Sequence, residues 1–568
     1  MSRIETVHCK KGVPMQVMRF TKRYEKFIVP ILLLFSLSLI GCLKKTKTVK
    51  RKGNLGGVFK INLGQQPTTL NALSSTGYYA SQVQGYILEG LLDRDVETYQ
   101  WKPNLAKEWK TSKDGLSYEF TIRDGVKWHD GKPLTIEDVK FSFDAIVDKK
   151  NRWKTAHVKP YYENIGEAKI IAKNKIRFTA KKKYFRNFDV VAGLTVIPKH
   201  LYEDTSKENL KKLNKTLIGT GAYTLSEFNR GKNIILKKSS NWWGLNNKSQ
   251  KGINNFDKIL LRFIKDETVE LIRAEKGDID FLGLNAEQFV KKAQGKKWGK
   301  DIHKVKYQNK SPKGYGFIGW NLRNPLFKSK KTRLALYHLL NRDLMIEKFE
   351  HGMSLPATGP QYQQSIYANP EVKPVSFDPK LALKLLKENG WKDDAEDSIL
   401  YKDIDGKKVR FSFTILEPRK EFVKYLTVFK EDAKKAGIDV QIQFSEWTTF
   451  IKLLDERKFE AVRLGWSGGA VEWDPKQIWH SSFAKAGSNF IGYKNEEVDK
   501  LIDLARETLD QPKRQKILRR VYRIIAEDAP YAFLFNGKYG FYAHRERIGR
   551  KKDAYTFGIG TSYWWIKK

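Results

Sequence analysis

The stretch Leu88–Ile146 constrains this chain more than any other, because its three tight turns leave room only for short strands between them. Asp114-Gly115 separates a polar segment from the alternating Tyr118, Phe120 and Ile122, which is a hairpin signal. Asp124-Gly125 makes a second turn and His129-Asp130-Gly131-Lys132-Pro133 a third. Thr135 and Asp138 have the spacing of a capping box, in which each side chain satisfies a free backbone N–H at a helix start. Val139, Phe141, Phe143 and Ile146 supply the apolar positions of the helix that follows. On these residues alone the segment is a small β-rich lobe with tight turns.

At 568 residues the chain exceeds what a single core supports, so two or three lobes are expected. Its 40% hydrophobic and 13% aromatic content excludes disorder for most of it. The 106 Lys and Arg against 64 Asp and Glu give a net charge of +42. These residues are spread along the whole chain instead of gathering in one block, which reads as a solvated basic surface, and no nucleic-acid partner is expected.

Downstream, Phe256–Ile264 alternates as a strand and Glu267–Lys276 reads as a helix. Lys331–Glu350 reads as one helical stretch. Phe411–Leu416, Lys424–Ala436 and Val440–Phe444 then alternate strand, helix, strand, which implies an α/β lobe with a mixed sheet.

The two cysteines, Cys9 and Cys42, fit neither a disulfide framework nor a metal spacing. Arg19, Lys22, Arg23 and Lys26 precede an apolar run, Phe27–Ile40, too short to span a bilayer comfortably but right for a signal peptide. The first fourteen residues are unlike a basic n-region, which makes Met15 or Met18 an alternative start. Leu39-Ile40-Gly41-Cys42 resembles a lipobox, with Cys42 as the lipidated residue and membrane anchor.

No GxSxG, HExxH or Walker sequence appears, and the nine histidines lack ligand spacing. His129-Asp130 sits in a turn motif without a nucleophile beside it, so it reads as structural. Neither a catalytic residue nor a metal or cofactor is expected.

The quoted turn region also carries a resemblance. Glu89-Gly90-Leu91, Trp101-x-Pro103-x-Leu105-Ala106, Asp114-Gly115 and Gly125-Val126-Lys127-Trp128-His129-Asp130-Gly131 closely resemble the signature of family 5 extracellular solute-binding proteins, the peptide receptors of bacterial ABC importers. Ile197-Pro198-Lys199-His200, Gly219-Thr-Gly-Ala-Tyr223 and Arg333–Asn341 continue it, and the likeness spans roughly residues 55 to 545. It implies an α/β, periplasmic-binding-protein-like fold of class II, large type, with two hinged lobes and a small extra β-rich lobe. The implied division is a signal peptide (1–41), a tether (42–53), lobe I (54–81, 200–312 and 531–568), the small lobe (82–199) and lobe II (313–530), with hinge strands near Tyr315–Asn321 and Ala529–Phe535.

The same resemblance marks the ligand site. Thr76, Gly77 and Tyr78 fall where such receptors pair with an extended ligand, and Gly465, Trp466 and Ser467 lie on the strand that lends its backbone to it. Trp447 and Trp466 fall where aromatic walls line side-chain pockets, and Arg463 where an arginine meets a ligand carboxylate. One departure matters. Relatives that grip a free peptide amino terminus have an aspartate where this chain has Gly469, leaving Glu472 or Asp474 as substitutes and making a blocked or modified peptide more plausible.

The implied function is capture of peptides at the cell envelope or periplasm by a monomeric, lipid-anchored receptor serving an ABC permease and its ATPase. A receptor for a non-peptide solute and an exported hydrolase are the rival readings.

Overall fold

The computed structural model describes residues 56–567 apart from 76, 151, 154, 156, 157, 395, 396 and 486. The expected signal peptide, the tether, Cys42 and Thr76 lie outside the described residues.

β1 (Val58–Asn62) is the fourth strand of a seven-stranded mixed sheet that forms lobe I. It runs parallel to Lys258–Arg262 on one side and to Phe281–Leu284 on the other. Antiparallel strands extend the sheet at both ends, Gly540–Arg545 and Ile302–Tyr307 beyond one and Asn233–Lys238 and Tyr223–Asn229 beyond the other. α1 (Tyr78–Ile87) buries Val83 and Ile87 in a core with Leu63, Ile234, Leu236 and Leu261. A second cluster packs Phe59, Phe256, Tyr542 and Trp564 together. α2 (Glu267–Glu275) starts at Asp266, whose side chain accepts from the Val269 N–H at 2.8 Å, and it buries Leu271 and Ala274.

The small lobe is a four-stranded antiparallel sheet, Ala106–Thr111, Ser117–Ile122, Lys175–Ala180 and Ile165–Ala172, covered by the helix Ile136–Val147. The predicted hairpin turns at Gly115 with φ +71°, a left-handed conformation that glycine adopts without strain. Asp138 does more than cap. Its buried carboxylate accepts from the Thr135 and Lys199 N–H groups, both at 2.8 Å, and from the Trp128 indole at 3.3 Å, so one side chain joins three motif segments.

His129 is likewise structural. Its Nε2 donates to the Gly221 carbonyl at 2.9 Å while Nδ1 accepts from the Gly219 N–H, and burial holds its pKa below the ordinary histidine value. Gly219 and Gly221 are glycine by necessity: a Cβ on either would stand 1.9 Å and 2.7 Å from the Ile87 carbonyl oxygen. This close crossing is against the end of α1.

Beside it Glu89 accepts from Thr220 Oγ1, Trp243 Nε1 and Trp242 Nε1 at 2.8, 2.8 and 3.2 Å. Desolvation raises its pKa to about 7 despite these donors.

Lobe II is built on β2 (Tyr315–Trp320), β3 (Ser412–Glu417), β4 (Ala461–Trp466) and β5 (Tyr531–Phe533). The sheet order is Asp439–Phe444, β3, β4, β2, β5, parallel among the first three and antiparallel from β4 onward. Its core extends from Tyr315 to Phe535.

Several sequence boundaries move. β5 was expected to return to lobe I, but it hydrogen-bonds to β2, and Phe535–Gly537 pairs with Ser354–Pro356 in the same lobe. The chain therefore crosses between the two large sheets at 308–314 and 538–539, and the expected hinge strands lie inside lobe II. The 81/82 boundary cuts α1, which packs wholly in lobe I, while the small-lobe core extends past 199 to include Tyr202 and Leu213. The expected helix Lys331–Glu350 is two helices, Lys330–His338 and Arg342–Phe349, because the Asn341 side chain caps the second by accepting from the Leu344 N–H.

Candidate functional site

β4 is the element on which the candidate site is organised. It pairs with β2 along its whole length, Ala461 to Trp466, but with β3 only at Ala461 and Val462. From Arg463 to Trp466 its second edge carries no strand among the described residues, and Gly465 and Ser467 are exposed there. An open strand edge presents unpaired N–H and C=O groups at a fixed spacing, which an extended peptide backbone can complete. On its opposite, paired edge the end of β4 packs tightly on the chain that leads into β2: a Cβ on Gly314 would stand 2.5 Å from the Trp466 carbonyl oxygen, and one on Gly468 would stand 2.3 Å from that of Pro312. The end of β4 thus abuts the 308–314 crossing segment through its paired edge, and the open edge lies on the other side of the strand.

Trp466 ends β4 half-buried, its indole stacked on Phe317 (6.2 Å, 23° between planes) and near Phe490. Trp447 begins the helix Trp447–Asp455, 55% exposed and stacked on the buried Phe450. No ring contact joins the two tryptophans. Gly77 precedes α1 and Tyr78 opens it, 68% exposed and edge-on to Tyr79.

Arg463 is buried. Its guanidinium lies 3.3 Å over the Phe422 ring, and its Nε is 3.8 Å from Glu417 Oε2. Neither atom has a hydrogen-bond partner among the described residues. Burial pulls the Arg463 pKa down to about 10 and pushes that of Glu417 up to about 7. Sequence reasoning missed Glu417, which lies in no recognisable motif and becomes Arg463's neighbour only through the parallel pairing of β3 with β4.

Gly469 adopts φ +59° in open space. The two acids considered as its substitutes are occupied. Glu472 accepts from Arg514 Nη2 at 2.8 Å, Gln511 Nε2 at 2.9 Å and the Tyr367 hydroxyl. Asp474 accepts from the Tyr184 hydroxyl at 2.6 Å and from Arg506. Glu472 is thus held within lobe II by three donors, and Asp474 ties lobe II to the small lobe. Two further contacts close this side: the Phe185 N–H donates to the Arg506 carbonyl at 2.9 Å, and the Arg506 guanidinium stacks 4.1 Å from the Tyr184 ring. On lobe I, Glu287 meets Lys424 of lobe II at 3.3 Å.

Two α/β lobes joined by two crossings, with an open strand edge and aromatic side chains beside one of them, define a class: a bilobal solute-binding protein. The chain belongs to the bacterial extracellular solute-binding proteins, family 5, whose model matches residues 100–490. It is 28% identical over 562 residues to the oligopeptide-binding protein AppA of Bacillus subtilis, covering 95% of this chain and 98% of that one. The dipeptide-binding protein of Escherichia coli is 24% identical, covering 80% and 84%. The solved structure of B. subtilis AppA in complex with a nonapeptide superposes with a TM-score of 0.76 at 29% identity, over 91% of this chain and all of that one.

Proposed function

We propose that this chain captures peptides between its lobes and delivers them to an ABC permease in the membrane, whose ATPase supplies the energy. The open edge of β4 carries the reading: a backbone edge flanked by Trp466 gives affinity through main-chain hydrogen bonds and breadth through apolar side-chain contact. The similar B. subtilis protein holds a nonapeptide, which supports an extended ligand. Gly469, with Glu472 and Asp474 both engaged elsewhere, favours peptides whose amino terminus is blocked or lies beyond the site. Thr76, Gly77 and Tyr78 would meet the ligand from lobe I, Trp447 would wall it from lobe II, and Arg463 would face its acidic end. Closure turns about the two crossings, 308–314 and 538–539. Cys42 carries the lipid that holds the receptor, a monomer, at the envelope; in Cys42→Ser, unchanged membrane retention would contradict the anchor.

Native mass spectrometry of the gently purified soluble form, followed by denaturation and identification of what is released, tests the reading. A spread of peptide masses supports it, and their termini show whether free amino groups are bound. A single non-peptide species moves the function to that solute, and turnover of added peptides moves it to hydrolysis.

A further inference from the structure

Beneath α1 lies a cavity of about 300 Å3 in which one charged side chain, Glu270, stands among aromatic rings. That volume is at the lower end for small-molecule sites, enough for one functional group or a small amine. Tyr78 and Tyr86, eight residues apart on one face of α1, form one wall together with Gln82 between them. Phe59 and Phe281, on neighbouring parallel strands, line it as well. In a chain of net charge +42, none of the residues around this cavity is Lys or Arg.

Glu270 belongs to the first turn of α2, where acids suit the helix N-terminus. Asp266 and Glu267 already fill that role. The Asp266 side chain caps the helix, and the Glu267 carboxylate accepts from Asn285 Nδ2 and Gln288 Nε2 at 3.3 and 3.2 Å. Glu270 lines the cavity instead, with Asn62 and Glu267 acting on its carboxyl group and no Lys or Arg among the described residues that line the cavity. Burial raises its pKa, the direction a nearby cation would reverse.

We propose that this cavity is a binding site for an organic cation, an alkylammonium or alkylguanidinium, held by the Glu270 carboxylate and by the faces of the surrounding rings. That the cation is the side chain of a lysine or arginine in a captured peptide rests on the proposed function; the selection of a cation does not.

The probes are n-butylammonium and n-propylguanidinium, titrated into the mature protein at pH 7.5 and followed by NMR saturation transfer. Glu270→Gln keeps shape and removes charge, and Gln82→Lys places a fixed cation at the exposed wall of the cavity. Both variants are expected to melt as the parent does and to bind the probes at least tenfold more weakly. Parent-like binding of the probes by Glu270→Gln overturns the proposal, as does failure of the parent to bind either probe. A second arm offers an equimolar pool of terminally blocked pentapeptides. Enrichment of Lys and Arg among peptides retained by the parent, lost in Glu270→Gln, assigns the cation to a peptide. Probe binding without retention of any peptide refutes the peptide reading and leaves the site assigned to a free amine or guanidine.

Discussion

Glu417 and Arg463 sit on adjacent strands of lobe II with Oε2 of the first 3.8 Å from Nε of the second, both buried and neither atom hydrogen-bonded. At that distance the pair attracts without forming a hydrogen bond, so each charge is left incompletely compensated. Removing one partner strands the other in a low-dielectric site. Glu417→Ala, which strands the Arg463 cation, is expected to cost about 3–5 kcal/mol, and Arg463→Ala less, because the Glu417 carboxyl neutralises by taking up a proton. The apolar double variant Glu417→Leu/Arg463→Met is expected to be at least as stable as either single one. Urea unfolding of all three measures this, and strictly additive losses would mean that the two charges do not interact.

Glu89 and Glu417 make stability depend on pH in a defined direction. Each has its pKa raised from 4.5 to about 7 in the folded state by burial. The folded chain then holds protons that the unfolded chain releases between pH 4.5 and 7. The contribution is complete below pH 4.5 and is lost as pH rises through 7, on the order of 3 kcal/mol for each group before relaxation. The melting temperature is expected to fall from pH 5 to pH 8. Glu417→Gln should flatten that slope and leave the part due to Glu89; a melting temperature that climbs through this range would refute the assignment.

Much of this fold was legible because its motifs are local. Asp114-Gly115 and the Thr135/Asp138 spacing place turn and cap within a few residues, and both occur as read. What escaped is what long-range pairing decides. β5 looks like a strand of either lobe until β2 claims it, and Asp138 looks like a cap until Trp128 and Lys199 close on it from elsewhere. The acids were the hardest to read. Glu472, Glu417 and Glu270 are equivalent letters in sequence, yet one is locked by Arg514 and Tyr367, one half-pairs with Arg463, and one faces a cavity without a basic neighbour.

On the proposed function Trp466 would supply an apolar wall to the ligand without anchoring the lobe II core, since Phe317 and Phe490 beneath it also pack on Tyr531. Trp466→Ala is expected to leave the fold intact and weaken capture of released ligand by roughly tenfold, the scale of losing about 1.5 kcal/mol of ring burial. Unchanged affinity in the refolded, ligand-stripped protein would remove Trp466 from the site.

Gly469 offers the sharpest test of what the site lacks. The residue sits three positions after Trp466, where the family resemblance implies an aspartate as amino-terminal anchor, and a Cβ there meets nothing within 4 Å. Its φ of +59° is one that aspartate tolerates better than most side chains, at a cost of about 1–2 kcal/mol. Gly469→Asp therefore adds a carboxylate to open space without displacing a neighbour. If the parent binds peptides without holding an amino terminus, it should bind a peptide and its acetylated form alike, and Gly469→Asp should prefer the free amine by about tenfold. Isothermal titration with such a pair decides it. A parent that already discriminates against the acetylated form would show that another group grips the ammonium, and with it that the bound peptide begins inside the cleft.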